Sequence, residues 1–457
     1  MNSNRKKDYY ADHGANKRRL PPVLIFLTIA VVLSLALLGF YVWQNKPGNG
    51  GKITPSPTPA ITASATDAPT ATPTVGQAPT PQATAAPEPV ETVTPAPENT
   101  PPEPTSAPYA GSNITPVPKL PFEPVKALYL KPGSYQNEKQ LQHYIDLANR
   151  TEINAYVIDI KGDYGNIYYK SEIPDVVAAK ACSDFNINTV INKLHQNNIR
   201  VIGRIVTFKD NVITSYKPSL AIKHNGSTFV AQDGTKAQWL DPTNRGAWEY
   251  VGNIVREAVN FGFDEIQFDY IRFPETSLYE YELQNLEEGK ERRDYIEGFT
   301  EYIRSIVPSD TILSADIFGW PLIATRDSGE IGQTVESIGW HLDYVSPMVY
   351  PSHFDKKSQT INGINFTKPD LKPYEVVYNT LLVGKKRIDS VEGYNLKCRP
   401  YLQGFTASYL GSEYFTTYGV EEYRAQIKAV YDAGYEEWIF WNARNEYVEE
   451  AFLPEGQ

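Results

Sequence analysis

Two acidic residues in apolar segments, Asp269 and Asp316, are the strongest candidates for chemistry in this sequence. Asp269 follows an alternating apolar run in DEIQFDYIRFPE, and Asp316 lies within TILSADIFG. Two carboxyl groups on either side of a bond can act together, one protonated as a general acid and the other ionised. A neighbouring arginine stabilises an ionised carboxyl, and Arg204 and Arg272 are the candidates for that role.

The elements that would position these acids are eight apolar segments that alternate with helical patterns. The predicted strands are VKALYL (125–130), NAYVIDIKG (154–162), IRVIGRIV (199–206), DEIQFDYI (264–271), TILSADIFG (311–319), DYVSPMVY (343–350), PYLQGF (400–405) and EEWIFWNA (436–443). This alternation in a chain of this size predicts a (β/α)8 TIM barrel of the α/β class. An open doubly wound sheet is the alternative, but it normally carries a Gly-rich first turn, which this sequence lacks.

A barrel explains why polar and aromatic residues recur near the C-terminal ends of the predicted strands. One strand face contacts the helices, and the other lines the barrel interior, whose upper end opens into the active site. We therefore expect Asp269 and Asp316 to lie close to a set of candidate substrate-binding residues. These are Asp159, Lys161, Arg204, Gln267, Arg272, Trp320, Tyr350, His353, Gln403, Trp441 and Asn442.

Each of these residues also has a purely structural interpretation. An Asp could belong to an ion pair, Gln267 could fill a barrel layer through a hydrogen bond, and His353 could be a polar residue of the rim. Trp320 and Trp441 could pack in the core instead of stacking on a sugar. Convergence favours a functional site, because several acids, two arginines and aromatic residues at one end are poorly explained by stability alone.

The first 120 residues contain no catalytic candidate and divide into three segments by composition. Residues 1–22 are basic, and residues 23–43 are uncharged over a length that can span a hydrocarbon core of about 30 Å. This pattern predicts a cytoplasmic tail, a single transmembrane helix that acts as a signal anchor, and an extracellular C-terminal domain. A cleaved signal peptide is the alternative, because Ser34-Leu35-Ala36 is a weak cleavage site.

Residues 44–120 are rich in Pro, Thr and Ala and contain few large apolar side chains. Such a segment cannot offset its ordering entropy, so we expect a disordered linker that is biased towards extended conformations. It would hold a globular domain, residues 121–457, away from the membrane.

Charge and motif content exclude several classes of function. The formal net charge of −11 and the lack of a basic stripe beyond the N-terminal tail argue against nucleic-acid binding. Cys182 and Cys398 show no metal-ligand spacing, and the sequence leaves their pairing open. The common nucleotide-binding, zinc-protease and serine-hydrolase motifs are absent from the sequence. No metal or organic cofactor is implied.

Four motifs, GFDEIQFDYIRFP, YVIDIKGDYG, SADIFGW and VSPMVYPSHF, resemble a bacterial family of envelope-attached barrels assigned to the glycoside hydrolases. That family is distantly similar to the α-amylase-like and polygalactosaminidase-like barrels. The resemblance covers residues 122–450 and implies a TIM barrel that acts on carbohydrate. In those relatives a strand-four Asp is the nucleophile, which matches Asp269. The acid/base stands on strand five, where this chain has Asp316 and better-known relatives have Glu.

These observations predict a membrane-tethered glycoside hydrolase that acts outside the cytoplasm on an envelope or extracellular polysaccharide. Its partners would be that saccharide and, through residues 23–43, the lipid bilayer. The alternative is a non-catalytic carbohydrate-binding or cell-wall structural protein, and a third reading is a polysaccharide lyase or transglycosylase. A pair of carboxyl groups favours an enzyme, because a protein that only binds sugar has no need of both.

Overall fold

The computed structural model describes residues 120–121, 123–276 and 278–453. The predicted cytoplasmic tail, transmembrane helix and linker lie outside these residues. Within the described part of the chain, no helix is both long enough and apolar enough to cross a bilayer.

Eight parallel strands form a closed barrel. They are β1 Lys126–Leu130, β2 Ala155–Lys161, β3 Arg200–Val206, β4 Glu265–Asp269, β5 Ile312–Phe318, β6 Tyr344–Met348, β7 Tyr401–Gln403 and β8 Trp438–Trp441. Each strand pairs with the next one along the chain, and β8 pairs with β1 to close the ring. The predicted TIM barrel is confirmed, and each predicted strand agrees with the observed one within three residues at either end.

Helices surround most of the barrel. The longer ones are α1 Glu138–Arg150, α2 Asn188–His195, α3 Arg245–Phe261, α4 Arg292–Ile306, α5 Pro373–Asp389 and α6 Val420–Asp432. Three single-turn helices are Pro132–Tyr135, Pro174–Ala178 and Val212–Tyr216. The segment between β5 and β6, all of which is described, contains 3₁₀ turns at Trp320–Leu322 and Ser328–Glu330 in place of an α-helix.

Smaller elements decorate the loops. Two hairpins pair Lys223–His224 with Ser227–Thr228 and Ser358–Ile361 with Ile364–Thr367, and a short strand, Lys397–Cys398, pairs with β6. Further 3₁₀ turns are Pro218–Leu220, Pro351–His353, Pro369–Leu371, Ser408–Leu410 and Glu449–Ala451. Cys182 and Cys398 are both free thiols.

Helix α3 shows how local sequence directs the chain into β4. Its first turn is capped by the Asn244 side chain, which accepts a hydrogen bond from the Gly246 amide at 2.9 Å. Its last turn ends at Gly262, whose φ of +91° lies in the left-handed region that glycine adopts without steric cost. The turn at Gly262 leads into β4, which carries Asp269.

The two faces of β4 have different environments. Ile266 and Phe268 are fully buried towards the helices, and the Phe268 ring contacts Phe299 of α4 at 5.7 Å between centroids. The inward face is polar throughout, because Glu265 pairs with Arg399 and is followed by Gln267 and then Asp269. This polar face explains the amide and carboxylate of the sequence motif.

Candidate active site

A cavity of about 210 Å³ opens at the C-terminal end of the strands, where the TIM-barrel prediction places the site. Seven predicted site residues line this cavity: Arg204, Asp269, Arg272, Asp316, Tyr350, His353 and Trp441. Six other residues complete the lining: Asp163, Tyr270, Phe318, Gln333, Met348 and Tyr401. The structure therefore brings both predicted catalytic acids into one cavity.

Asp269 ends β4 and is held by hydrogen bonds to both of its oxygens. Its Oδ2 accepts from Arg204 Nε at 2.9 Å and Nη2 at 2.5 Å, and its Oδ1 accepts from the Tyr270 amide at 2.6 Å. Tyr270 has a φ of +48°, a left-handed conformation that is uncommon for a residue other than glycine. Such strained backbone clusters at functional sites, and here it directs the Tyr270 amide onto Asp269.

Arg204, a fully enclosed residue of β3, links Asp269 to a second carboxylate. Its Nη1 donates to Asp159 Oδ1 at 2.7 Å, and Asp159 Oδ2 accepts from the Tyr129 hydroxyl at 2.8 Å. The guanidinium also lies 5.2 Å from the centre of the Trp441 ring. Asp159 stands behind Arg204 and does not line the cavity, so it fixes the arginine and is not exposed to a ligand.

Asp316, on the neighbouring strand β5, has a different environment from Asp269. It is 2% exposed, and its Oδ1 has no hydrogen-bond partner among the described residues. Burial raises the pKa of the Asp316 carboxyl well above its usual range, and the nearby negative charge of Asp269 raises it further. The site therefore combines a carboxyl that favours its protonated form with a carboxylate whose charge is compensated by arginine.

Aromatic residues and a histidine form the rest of the wall. Trp441 stacks on Tyr129 with 3.9 Å between ring centroids, and Tyr350 contacts the His353 ring edge-to-face at 4.9 Å. Burial lowers the pKa of His353 to about 4, so its imidazole is neutral near neutral pH. A neutral ring beside aromatic faces suits hydrogen bonding and stacking with an uncharged part of a ligand.

Comparison with known proteins assigns the chain to a family. Residues 127–447, more than half of the chain, match the family described as "Putative glycosyl hydrolase domain". The chain belongs to this family. This match confirms the family resemblance that the sequence motifs indicated and the prediction of a glycoside hydrolase. Among curated proteins, none matches this chain.

Solved structures include several similar chains. A hypothetical protein from Ruminiclostridium thermocellum is 47% identical, with a TM-score of 0.39, over 41% of this chain and 96% of its own. The PgaB (BpsB) glycoside hydrolase domain from Bordetella bronchiseptica is 12% identical, with a TM-score of 0.52, over 72% and 98%. The α-galactosidase TtGalA from Thermus thermophilus is 11% identical, with a TM-score of 0.45, over 73% and 61%. The similarity to the PgaB domain supports the fold of the present chain and nothing beyond the fold.

Lys161 is a predicted site residue that the structure places outside the cavity. Its fully buried Nζ lies 3.0 Å from Asp210 Oδ2 and donates to the Val206 carbonyl at 2.5 Å. A register irregularity between Asp159 and Lys161 pairs Lys161 with Ile205, an outward-facing residue of β3. The strict alternation that predicted an inward lysine is interrupted at this bulge.

Three predicted amide residues support the cavity from outside it. Gln267 lies one layer below and accepts from the Tyr401 hydroxyl at 2.6 Å, which is the layer-filling role considered for it. Gln403 accepts from the Ser352 amide at 3.1 Å, and Asn442 donates to the Gly404 carbonyl at 2.6 Å. All three are buried, so their contact with substrate stays a prediction that the geometry does not favour.

Trp320 also lies outside the cavity lining. Its ring stacks on Phe318 at 5.9 Å between centroids and packs against a small cluster that contains Phe354 and Phe366. For this residue the geometry favours the packing interpretation, whereas Trp441 faces the cavity.

Some lining residues were not among the candidates. Gln333 comes from the loop between β5 and β6, where its side chain donates to the Ile271 carbonyl at 3.3 Å and accepts from the Phe318 amide at 3.4 Å. No periodic pattern marks that loop. Tyr401 could have been found, because it precedes Gln403 by two residues and so shares its inward strand face.

The described part of the chain contains no group of three or more His, Cys, Asp or Glu side chains arranged to hold a metal ion. The cavity lining itself offers carboxyl groups, arginines and aromatic rings.

Proposed function

We propose that the protein is a glycoside hydrolase that cleaves a cell-envelope or extracellular polysaccharide through Asp316 and Asp269. The observation that carries the proposal is the contrast between two carboxyl groups in one cavity. Asp316 is desolvated and favours the protonated acid, whereas Asp269 accepts two hydrogen bonds from Arg204. Titratable groups in opposed environments are how a site separates its acid from its nucleophile or base.

In the proposed reaction, Asp316 donates its proton to the glycosidic oxygen as the bond to the anomeric carbon breaks. Asp269 stabilises the positive charge that develops on the sugar and acts on the anomeric carbon. If Asp269 is the nucleophile, a covalent glycosyl-enzyme forms, and water releases it with Asp316 as the base. If Asp269 instead takes a proton from water, the product is inverted. The anomer formed first, observed by proton NMR, distinguishes the two routes.

We further propose that the domain is tethered outside the cytoplasm by residues 23–43 and held away from the bilayer by residues 44–120. The basic flank, the uncharged run and the Pro/Thr-rich composition support this topology. Protease treatment of intact cells should degrade the C-terminal domain and spare the N-terminal tail. Protection of the domain by the membrane would contradict this topology.

The central test is hydrolysis of envelope polysaccharides and of activated aryl glycosides by the full-length protein in detergent. Asp269→Asn keeps the shape and hydrogen-bonding capacity of the side chain, so it should keep the fold and lose at least about 10³-fold in turnover. Asp316→Asn should lose activity on polysaccharide but keep part of it on glycosides with a good leaving group, which need little protonation.

The control is Asp432→Asn, which changes an exposed carboxylate on α6 that contacts Lys428 and does not line the cavity. It should retain full activity. Full activity of Asp269→Asn would contradict the assignment. A wild-type protein that binds polysaccharide and hydrolyses none of a broad panel would favour the carbohydrate-binding alternative.

A further inference from the structure

Arg272, which follows β4, is a cation in the cavity wall without a carboxylate partner. Its guanidinium lies 4.8 Å from the ring centre of Phe318, 5.0 Å from Trp239 and 5.4 Å from Tyr270. Its Nη1 donates to the Phe273 carbonyl at 2.9 Å. Among the described residues, Glu275 and Asp269 attract it electrostatically, but no Asp or Glu lies within ion-pair distance of it.

Lys209, which follows β3, is a second cation of this kind. Its Nζ lies 4.5 Å from the centre of the Tyr270 ring and 5.4 Å from that of Tyr164. No residue of the described part of the chain accepts a hydrogen bond from this amine. Tyr270, the residue after Asp269, therefore contacts two cations, Lys209 and Arg272.

Two enclosed cations of this barrel are paired with carboxylates. Arg204 contacts Asp159 and Asp269, and Lys161 contacts Asp210. Because Arg204 already donates two hydrogen bonds to Asp269, Arg272 is not required to compensate that carboxylate. Arg272, after β4, lines the cavity, and Lys209, after β3, contacts the lining residue Tyr270.

Aromatic contacts alone compensate a desolvated cation only in part, since each is worth about 0.5–2 kcal/mol. A guanidinium presents a planar fork of N–H donors that matches a carboxylate or a phosphate. An anionic group on a bound ligand would supply the partner that the protein does not provide. A neutral sugar would leave the Arg272 guanidinium without a charged hydrogen-bond partner, since Glu275 and Asp269 act on it only from beyond ion-pair distance.

We propose that the sugar bound beside Asp269 carries an anionic substituent, a carboxylate or a phosphate, and that Arg272 binds it. Lys209 adds positive charge next to Tyr270. This inference rests on the proposed function and narrows its substrate class from polysaccharides in general to acidic ones. Arg272 is then a specificity-determining residue and takes no part in the bond cleavage.

The test compares matched sugars that differ only in charge. The full-length protein with Asp316→Asn, which leaves an uncharged group at that position, is titrated with glucuronate and glucose, galacturonate and galactose, and mannuronate and mannose. The 6-phosphates of the three neutral sugars form the third arm. Binding is followed by calorimetry and by tryptophan fluorescence at low salt.

We expect the acidic member of at least one set to bind about tenfold more tightly than its neutral partner, the effect of one charge-assisted contact. Adding Arg272→Gln should reduce that ratio to about one, and Arg272→Lys should preserve part of it because the charge is retained. Arg424→Gln, an exposed arginine of α6, is the matched control and should change nothing. A preference for uronates identifies a carboxylate, and one for 6-phosphates identifies a phosphate.

Equal affinity within every set, or an acid preference that survives Arg272→Gln, would overturn this inference. If the wild type hydrolyses only neutral polysaccharides, the inference of an acidic substrate is also overturned, but the proposed glycoside hydrolase function is not. An acid preference that depends on Arg272, together with no hydrolysis of any acidic or neutral polysaccharide, would support the inference and contradict the proposed hydrolase.

Discussion

Arg204 donates two hydrogen bonds to a single oxygen of Asp269, from Nε at 2.9 Å and from Nη2 at 2.5 Å. Its third donor, Nη1, reaches Asp159 at 2.7 Å, so one guanidinium serves two enclosed carboxylates. This arrangement fixes the orientation of Asp269 relative to the cavity. We therefore expect both activity and stability to depend on Arg204.

Arg204→Met should lower the free energy of unfolding by about 3–5 kcal/mol, because it leaves Asp159 and Asp269 buried without a counter-charge. Urea denaturation measures this loss. Adding Asp159→Asn to Arg204→Met removes one of these two uncompensated buried carboxylates and should restore part of the free energy of unfolding. Arg150→Met, at an exposed pair with Glu449, should cost no more than about 1 kcal/mol. An equal loss in the free energy of unfolding for Arg204→Met and Arg150→Met would contradict this interpretation.

Asp316→Asn should stabilise the protein at neutral pH while impairing catalysis. The folded-state pKa of Asp316 is raised by burial, so the wild type loses stability as the pH rises from about 4, the unfolded value, through the folded value. Asparagine cannot ionise and avoids that loss. Urea unfolding across this range should show a difference that grows with pH and vanishes in acid.

The control for this prediction is Asp432→Asn. Hydrogen bonds from Lys428 and Tyr374 lower the pKa of Asp432, so this substitution should act with the opposite sign, and weakly because the group is exposed. A stability difference for Asp316→Asn that is independent of pH would show that Asp316 is already ionised in the folded protein.

Trp441 and Trp320 should respond differently to truncation. Trp441 faces the cavity, so Trp441→Ala should weaken oligosaccharide binding by about 1–3 kcal/mol. Trp320 packs outside it, so Trp320→Ala should lower the stability by about 1–3 kcal/mol and leave the affinity unchanged. Calorimetric titration and thermal unfolding measure the two effects. Lost stability with unchanged binding in Trp441→Ala would assign that residue to the core.

A chain that starts at residue 118 should fold by itself. The Leu120 amide donates to Asp264 at 3.1 Å and the Pro121 carbonyl accepts from Arg200, so these residues belong to the domain. A chain that starts at residue 125 loses both contacts and should be less stable by about 1 kcal/mol for each. Circular dichroism shows whether each shortened chain folds, and thermal unfolding measures the difference in stability between them. An unfolded 118–457 chain beside a folded full-length protein would place the boundary elsewhere.

The strands and the inward position of the two acids could be predicted from the sequence because they depend on local periodicity. In a strand, side chains alternate between two faces, so Gln267 and Asp269 must share the face opposite Ile266 and Phe268. The C-terminal ends of parallel strands meet at one end of a barrel, which brings Asp269 and Asp316 together without any knowledge of their contacts.

Local periodicity fails wherever pairing between strands decides the outcome. Lys161 follows Asp159 by two residues, yet the bulge between them sends it to Asp210, on the segment after β3. Gln333 reaches the cavity from an irregular loop because the Phe318 amide and the Ile271 carbonyl bind its side chain. Both placements depend on residues distant in sequence, which no pattern within a single segment encodes.

The sequence by itself determined the barrel and the acids that stand at its open end, since those follow from alternation, turn residues and strand number. Only the tertiary structure decided the surroundings of each acid. Burial raises the pKa of Asp316, and the Arg204 side chain from β3 donates hydrogen bonds to Asp269 and Asp159 but not to Asp316. Desolvation and charge pairing are sums over neighbours brought together by folding, and this is why two identical carboxyl groups have different environments.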